Sequence, residues 1–205
     1  MSIVNLFKTI LSYKRLIPHI IFFEIVYFFK SSYVKSFKIL NHKDYTDSIP
    51  CPFFFLYKIE KFLKRRKVKC FLDLGCGLGR SLYYLNQKNK ISYIGIEQDE
   101  SIFEKCKSIF KDNANIKIIN DNFMTFDFTK YNIDCFFIND PLKQISDFKN
   151  LKNVITKKNL NKDKHSEVFF ILVNTELSKR QIYKDLNLVE FLKSGDKGYY
   201  IYSSI

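Results

Sequence analysis

Glycine is scarce in this sequence, with 6 residues among 205, and half of them fall within five positions. Gly75, Gly77 and Gly79 alternate in the stretch FLDLGCGLGR, residues 71–80, directly after an apolar run. A simple turn requires fewer glycines. Because glycine has no Cβ and readily adopts positive φ, several glycines together are typical of a backbone that another molecule approaches closely. The turn at 75–79 is therefore the first candidate for a binding site.

The cysteines lack the spacing of a metal site, since no CxxC pair occurs in the sequence. Their number is odd, and several lie inside apolar runs that resemble strands: Cys51, Cys70, Cys76, Cys106 and Cys135. This pattern favours buried free thiols in a reducing compartment. We therefore predict that the protein binds no metal and is cytoplasmic.

No apolar run is long enough to cross a membrane. The nearest candidate, residues 16–30, contains Pro18, His19 and Glu24 and falls short of the roughly 20 apolar residues that a spanning helix needs. The start of the chain also lacks the pattern of a signal peptide. We expect a helix that packs on the domain, with peripheral contact between residues 16–30 and an anionic membrane surface as the alternative.

The net charge of +13 comes from 34 Lys and Arg against 21 Asp and Glu. Such an excess is compatible with nucleic acid, an anionic membrane or an acidic protein as partner. Lysine, isoleucine, asparagine, phenylalanine and tyrosine are all abundant together, so we interpret the excess mainly as a solvated surface. Nucleic acid is allowed as a partner by charge but is not favoured.

The order of patterns along the chain predicts an α/β fold. Residues 1–52 read as an N-terminal helical extension and a loop, and residues 53–205 as the main domain. From residue 68 onward, short apolar runs alternate with amphipathic stretches; the runs are 68–74, 92–97, 116–120, 133–140 and 167–174. Continuous runs of β-branched and aromatic residues suit strands covered on both faces, and the alternation implies parallel pairing.

The C-terminal residues depart from this alternation. Two β-rich runs, 186–194 and 199–205, flank a Gly-Asp-Lys-Gly turn, which is a hairpin signal. The predicted fold is thus a doubly wound, mainly parallel seven-stranded sheet with a C-terminal antiparallel hairpin.

The glycine turn lies where an open α/β sheet binds ligands, between the carboxyl end of a strand and the start of a helix. It is neither of the two common phosphate-binding motifs. A dinucleotide turn would have a third glycine where Arg80 stands, and the P-loop signature is absent. Asp73, two residues before the first glycine, could orient the turn or meet a cationic group of a ligand.

The stretch Asp-Leu-Gly-Cys-Gly-Leu-Gly-Arg resembles the first motif of class I S-adenosylmethionine (SAM)-dependent methyltransferases. The nearest resemblance is to small bacterial members of undefined substrate, through Pro50-Cys51-Pro52, Asp140-Pro141-Leu142 and Val173-Asn174. It implies a seven-stranded Rossmann-like domain over roughly residues 50–205 and SAM as the cofactor. The turn residues implied to hold SAM are Asp73, Gly75, Cys76, Gly77 and Gly79.

The next two strand ends add residues to this predicted cofactor site. Glu97 ends the second run, where an acid can accept both hydroxyls of a ribose. By resemblance Asp121, after the third run, bonds the adenine amino group, with Asn122 and Phe123 beside it.

The fourth run ends in INDPL, residues 138–142. It is similar to the polar-Pro turn of methyltransferases that act on nitrogen, but it lacks their second proline and aromatic residue. The resemblance implies that Asn139 and Asp140 are catalytic and that Pro141 and Leu142 contact the substrate. We expect Asp140 to orient the nucleophile or take its proton, with Pro141 holding Asp140 in an extended conformation.

The sequence leaves the acceptor open: a nitrogen of a protein lysine or of a small molecule is favoured. Two alternatives from other classes are a domain that binds SAM or a partner without transfer, which the altered INDPL stretch keeps open, and an NAD-type oxidoreductase. Arg80 and the terminal hairpin argue against the oxidoreductase. The oligomeric state is not indicated.

Overall fold

The computed structural model describes residues 11, 13–28, 50–159, 167–194 and 197–205. Within these residues the strands are β1 Cys70–Leu74, β2 Ser92–Glu97, β3 Ile116–Asn120, β4 Cys135–Ile138, β5 Phe169–Val173, β6 Asn187–Ser194 and β7 Lys197–Ser203. The helices are α1 Ile17–Phe28, α2 Phe53–Arg65, α3 Arg80–Lys88, α4 Glu100–Phe110, α5 Ile145–Asn159 and α6 Leu177–Arg180.

The seven strands form one sheet in the order β3-β2-β1-β4-β5-β7-β6. Strands β1 to β5 are parallel, and β7 runs antiparallel to both β5 and β6. The predicted doubly wound sheet with a C-terminal antiparallel hairpin is confirmed. The direction of winding reverses between β1 and β4, so a crevice opens there at the carboxyl ends of the strands.

The centre of the sheet is buried on both faces, as the continuous apolar runs predict. All residues of β1, β4 and β5 are buried. On one face Phe71 packs against Phe137, and on the other Phe136 stacks on Phe170 with ring centroids 5.6 Å apart. All five cysteines are buried and free, as predicted. Each large apolar side chain buried in this way contributes about 1.5–3 kcal/mol to the stability of the folded state, so the sheet core is a major source of that stability.

The N-terminal helix α1 packs on α2. The ring centroid of Phe23 lies 5.5 Å from that of Phe54 and 5.2 Å from that of Tyr57, and Ile20 is buried. In the part of the chain that the structure describes, no helix is both long and apolar enough to cross a membrane. Most of the predicted extension, residues 1–10, 12 and 29–49, lies outside the described residues, as do residues 195–196 of the predicted hairpin turn.

Glu24 links α1 to the rest of the domain through polar contacts. Its carboxylate accepts the backbone N–H of Phe53 at 2.9 Å and pairs with the Arg80 guanidinium at 3.0 Å. The guanidinium also lies over the Phe53 ring, 4.4 Å from its centroid. Arg80 is the first residue of α3, directly after the glycine turn, so α1 is attached to the predicted binding site.

Replacing Glu24 by Gln is expected to weaken this attachment. Gln keeps an oxygen for the Phe53 N–H but loses the charge that pairs with Arg80, which we expect to cost about 1–2 kcal/mol. For a domain of this size the melting temperature falls by about 2–8 °C. Limited trypsin digestion is expected to cleave faster after the exposed Lys14 and Arg15.

The control is Glu104→Gln, because Glu104 pairs with Lys107 at 3.9 Å and both side chains are more than half exposed. Exposed ion pairs of this kind contribute little to the stability of the folded protein. If Glu24→Gln melts and is digested like Glu104→Gln, then Glu24 does not hold α1 in place.

Candidate functional site

The glycine turn connects β1 to α3 in a conformation that side chains disfavour. Gly75, Gly77 and Gly79 have φ values of 76°, 56° and 78°. The N–H groups of Gly75 and Cys76 both donate to the Ile96 carbonyl, at 3.0 and 2.9 Å. The turn is therefore fastened to β2 while its other face is directed away from that strand.

Two of these glycines lie against different neighbours. A Cβ on Gly79 would lie 2.4 Å from the Phe110 ring, so this glycine is required for packing against α4. A Cβ on Gly75 would lie 3.5 Å from Pro141 and 3.9 Å from Phe123. Gly75, which follows β1, therefore lies close to residues that follow β3 and β4.

Glu97, the last residue of β2, braces the turn. Its Oε2 accepts the Gly77 N–H and its Oε1 accepts the Asp99 N–H, both at 2.9 Å. Burial raises the pKa of Glu97, although these backbone hydrogen bonds oppose the shift. A carboxylate has about four lone pairs, so each oxygen keeps capacity for one further donor, such as a hydroxyl.

Asp73 is buried at the end of β1 and accepts a hydrogen bond from the Ser81 hydroxyl of α3. Burial raises the pKa of Asp73 to about 7, with Ser81 opposing the shift. Asp73 thus joins β1 to α3 beneath the turn, which fits the predicted role of orienting the turn.

After β3, the side chains of Asp121 and Asn122 close local turns. Asp121 Oδ1 accepts the Asn122 N–H at 2.7 Å, and Asn122 Oδ1 accepts the Met124 N–H at 2.9 Å. Phe123 is buried. The residue that sequence reasoning missed here is Asn120, whose amide donates to the Glu97 carbonyl at 3.1 Å and so joins the ends of β2 and β3.

The turn after β4 differs from the prediction in its backbone. Asp140 has φ 46°, so the expected extended conformation is wrong. Proline disfavours the right-handed helical region for the preceding residue, and Asp tolerates the left-handed region. Lys179 stabilises this conformation, because its ammonium group donates to Asp140 Oδ1 and to the Leu142 carbonyl, both at 2.6 Å.

Lys179 is a buried lysine that sequence reasoning missed. Its position in a short amphipathic stretch looks like that of any surface lysine. Burial raises the pKa of Asp140, and the hydrogen bond and charge of Lys179 oppose that shift. The Leu142 side chain is buried in the core, so Leu142 supplies packing and a carbonyl group to this turn.

A row of polar side chains continues from β4 to β5. Asn174, directly after β5, donates its amide to Asn139 Oδ1 at 3.3 Å and accepts the Tyr13 hydroxyl on its own Oδ1 at 3.0 Å. The sequence pattern drew attention to Asn174 without a role, and it gave no signal for Tyr13. We name this row, Tyr13-Asn174-Asn139, the amide row.

The polar groups of four strand ends therefore meet at one edge of the sheet. They offer the carboxylate of Glu97 and amide oxygens, whereas the N–H groups of Gly75, Cys76, Gly77 and Gly79 already donate to acceptors within the protein. Among the described residues no cluster of three or more His, Cys, Asp or Glu side chains could hold a metal ion. This edge suits an organic ligand that carries hydroxyl groups and approaches the glycine turn.

Comparisons with known proteins agree on the kind of domain. A family model for a methyltransferase domain matches residues 71–157. The chain is 31% identical over 125 residues, 60% of its length, to the type II methyltransferase M.AccI of Acinetobacter calcoaceticus. It spans only 23% of the length of that relative.

Solved structures share the fold at low sequence identity. The Escherichia coli protein yhhF superposes with a TM-score of 0.62 at 16% identity, over 77% of this chain and 88% of that one. An RNA methyltransferase of Salinibacter ruber in complex with S-adenosyl-L-homocysteine (SAH) superposes with a TM-score of 0.54 at 13% identity, over 76% and 93%. The agreement is with methyltransferases, and the sheet order matches that fold.

The elevated pKa of Asp73 predicts a specific pH dependence of stability. An Asp in the unfolded chain releases its proton near pH 3.8, whereas Asp73 in the folded protein retains its proton until about pH 7. The folded state binds more protons between these values, so Asp73 destabilises it increasingly as pH rises. We therefore expect the melting temperature of Asp73→Asn, relative to that of the parent, to be at least about 2–4 °C higher at pH 8 than at pH 5.

Thermal melts from pH 5 to 8 test this, with Asp112→Asn as the control because Asp112 is exposed. The informative quantity is the difference in melting temperature between variant and parent. A difference that stays constant over this range for Asp73→Asn contradicts the burial of an ionisable Asp73.

Proposed function

We propose that this chain, which carries a class I SAM-dependent methyltransferase domain, transfers the methyl group of SAM to a nitrogen atom of a protein lysine or a small molecule. The observation that carries the proposal is the contact between the glycine turn and the turn after β4, where a Cβ on Gly75 would lie 3.5 Å from Pro141. A cofactor held by the first turn therefore has Asn139 and Asp140 beside it.

The residues at the sheet edge fit the cofactor. The backbone of residues 75–79 suits the amino-acid part of SAM, and the remaining lone pairs of Glu97 suit the two ribose hydroxyls. We propose that Asp121, Asn122 and Phe123 border the adenine, because they follow β3, which lies beside β2 in the sheet. We assign Asp73 and Cys76 a supporting role, since both are buried.

SAM, when bound, supplies a methyl group on a good leaving group, so the protein has mainly to position the acceptor and exclude water. Asn139 and Asp140 provide oxygens that accept hydrogen bonds from the N–H groups of an amine. Such bonds orient the nitrogen so that its lone pair faces the methyl group. Pro141 contributes to the acceptor side of the same turn.

The ion pair between Asp140 and Lys179 favours a nitrogen acceptor over an oxygen acceptor. A hydroxyl acceptor needs a base that removes its proton, and Asp140 Oδ1 already accepts a hydrogen bond from the Lys179 ammonium group at 2.6 Å. A neutral amine does not need such a base before it attacks, because its nitrogen already carries a lone pair. We therefore propose that Asp140 orients the acceptor and stabilises its positive charge.

Removal of Glu97 tests the cofactor site. Loss of hydrogen bonds to a charged group costs roughly 1.5–3 kcal/mol, or about ten- to a hundredfold in affinity. We expect Glu97→Ala to bind SAM at least about tenfold more weakly than the parent in calorimetry, with exposed Glu104→Ala unchanged.

A second ligand separates direct contact from loss of the brace on Gly77. The parent is expected to distinguish SAH from 2′-deoxy SAH, and Glu97→Ala is expected to bind both equally. If the variant still distinguishes them, another group holds the ribose.

An amine-bearing cofactor analogue tests the nitrogen acceptor without knowledge of the substrate. In sinefungin a carbon that carries a primary amine replaces the sulfonium and its methyl group, so the amine lies at the position of the methyl group, facing the acceptor side of the site. Charge-assisted hydrogen bonds to Asn139 and Asp140 predict that the parent binds sinefungin at least about tenfold more tightly than SAH. Asn139→Ala is expected to reduce this preference at least about threefold, whereas exposed Asn153→Ala retains it.

The two parts of the proposal fail differently. If neither SAH nor sinefungin binds, the cofactor assignment is wrong. If both bind equally well to the parent, the turn after β4 does not recognise an amine and the nitrogen acceptor is wrong.

A further inference from the structure

We infer that Tyr13 is a positioning residue that fixes the orientation of the Asn139 amide at the transfer site, an inference that rests on the proposed function. Tyr13 precedes Asn174 by 161 positions in sequence, yet its hydroxyl donates to Asn174 Oδ1 at 3.0 Å. Asn174 in turn donates to Asn139 Oδ1 at 3.3 Å. The amide row thus connects the N-terminal segment to a predicted catalytic residue.

The direction of these hydrogen bonds follows from Tyr13. Burial raises the pKa of its phenol, so the hydroxyl remains protonated and carries a hydrogen to donate. Within the described residues the acceptor of this hydrogen is Asn174 Oδ1. An amide that accepts on its oxygen directs its NH₂ group the other way, and for Asn174 that group meets the oxygen of Asn139.

The outer end of the row is fixed by packing. Tyr13 is only 2% exposed, and its ring lies edge-on to Phe55 with centroids 5.6 Å apart. Its carbonyl accepts the Ser194 hydroxyl from β6. The phenol therefore cannot follow a rotation of the Asn174 amide without losing contacts on two sides.

The middle of the row is fixed through the backbone. Asn174 has φ 56°, and its N–H donates to the Gly198 carbonyl of β7 at 2.8 Å. A left-handed residue held by such a bond has a defined side-chain direction, and Asn tolerates this conformation well. Both residues that precede Asn139 in the row, Tyr13 and Asn174, are consequently preorganised.

The consequence for the reaction is that Asn139 presents a carbonyl oxygen of fixed orientation. A carbonyl oxygen has two lone pairs, so it can accept from Asn174 and from an acceptor N–H together. If the amide of Asn139 were reversed, its NH₂ group would donate to the acceptor nitrogen and occupy the lone pair that must attack the methyl group. Tyr13 thereby makes the N-terminal segment part of the transfer site.

The test compares two changes of the same chemistry. Tyr13→Phe removes only the hydroxyl that donates to Asn174. Tyr183→Phe is the matched control, because the Tyr183 hydroxyl is buried and lacks a hydrogen-bond partner in the described part of the chain. Loss of a neutral hydrogen bond corresponds to a decrease in affinity of about two- to tenfold. We expect Tyr13→Phe to reduce the preference for sinefungin over SAH at least about twofold while SAH affinity is unchanged, and Tyr183→Phe to leave both at parental values.

Asn174→Asp provides a second route to the same result. The carboxylate still accepts from Tyr13 but has no hydrogen to donate to Asn139, so the preference for sinefungin is again expected to fall. Circular dichroism establishes that each variant is folded before its affinities are compared.

The outcomes separate this inference from the function on which it rests. If the parent prefers sinefungin and Asn139→Ala loses the preference but Tyr13→Phe keeps it, then Tyr13 is only an anchor and the inference is wrong. Equal weakening of SAH and sinefungin in Tyr13→Phe also contradicts it, because that result indicates general loosening. A parent without any preference overturns the proposed function itself.

Discussion

The parallel pairing of β1 with both β2 and β4 is the constraint on which the site depends. The register places Leu74 opposite Ile96 on one side and opposite Ile138 on the other. The residues that follow these three positions therefore emerge at the same level. They are the first glycine of the turn, Glu97 and Asn139, so the alignment of three strands assembles the site before any side chain contributes.

The remaining contacts hold this edge in a defined shape. Glu97 and Asp73 brace the glycine turn from β2 and β1, and Lys179 holds the turn after β4 from α6. Each of these ionisable groups is buried and has a hydrogen-bonding partner, which limits the cost of burying it. The N-terminal segment closes the arrangement at two points, through Glu24 beside the glycine turn and through Tyr13 beside Asn174.

Much of the sheet could be predicted from the sequence, because its strands are continuous apolar runs with strong β preference. The runs 92–97 and 116–120 became β2 and β3 at the same residues, and a helix, α3, follows the glycine turn as predicted. Strands β1, β4 and β5 are shorter than the predicted runs. At the carboxyl ends of β4 and β5, Asn139, Asp140 and Asn174 leave the ladder and lie at the site, whereas β1 is shortened only at its start.

The contacts that the sequence did not reveal are those between distant positions. Lys179, Asn120 and Tyr13 act through hydrogen bonds whose partners are fixed only by tertiary packing, and no local pattern distinguishes them from ordinary residues of their type. The backbone of Asp140 was wrongly predicted for the same reason. The rule for residues before proline was applied without the ion pair to Lys179, which selects the left-handed conformation.

A crystal structure of the protein with SAH tests the central claim most directly. The account predicts that the homocysteine part lies against the backbone of residues 75–79 and that the ribose hydroxyls lie within hydrogen-bonding distance of Glu97. The sulfur atom is expected to face Asn139 at the end of β4. SAH bound elsewhere on the molecule, or bound at this edge with its sulfur directed away from the turn after β4, would contradict the account.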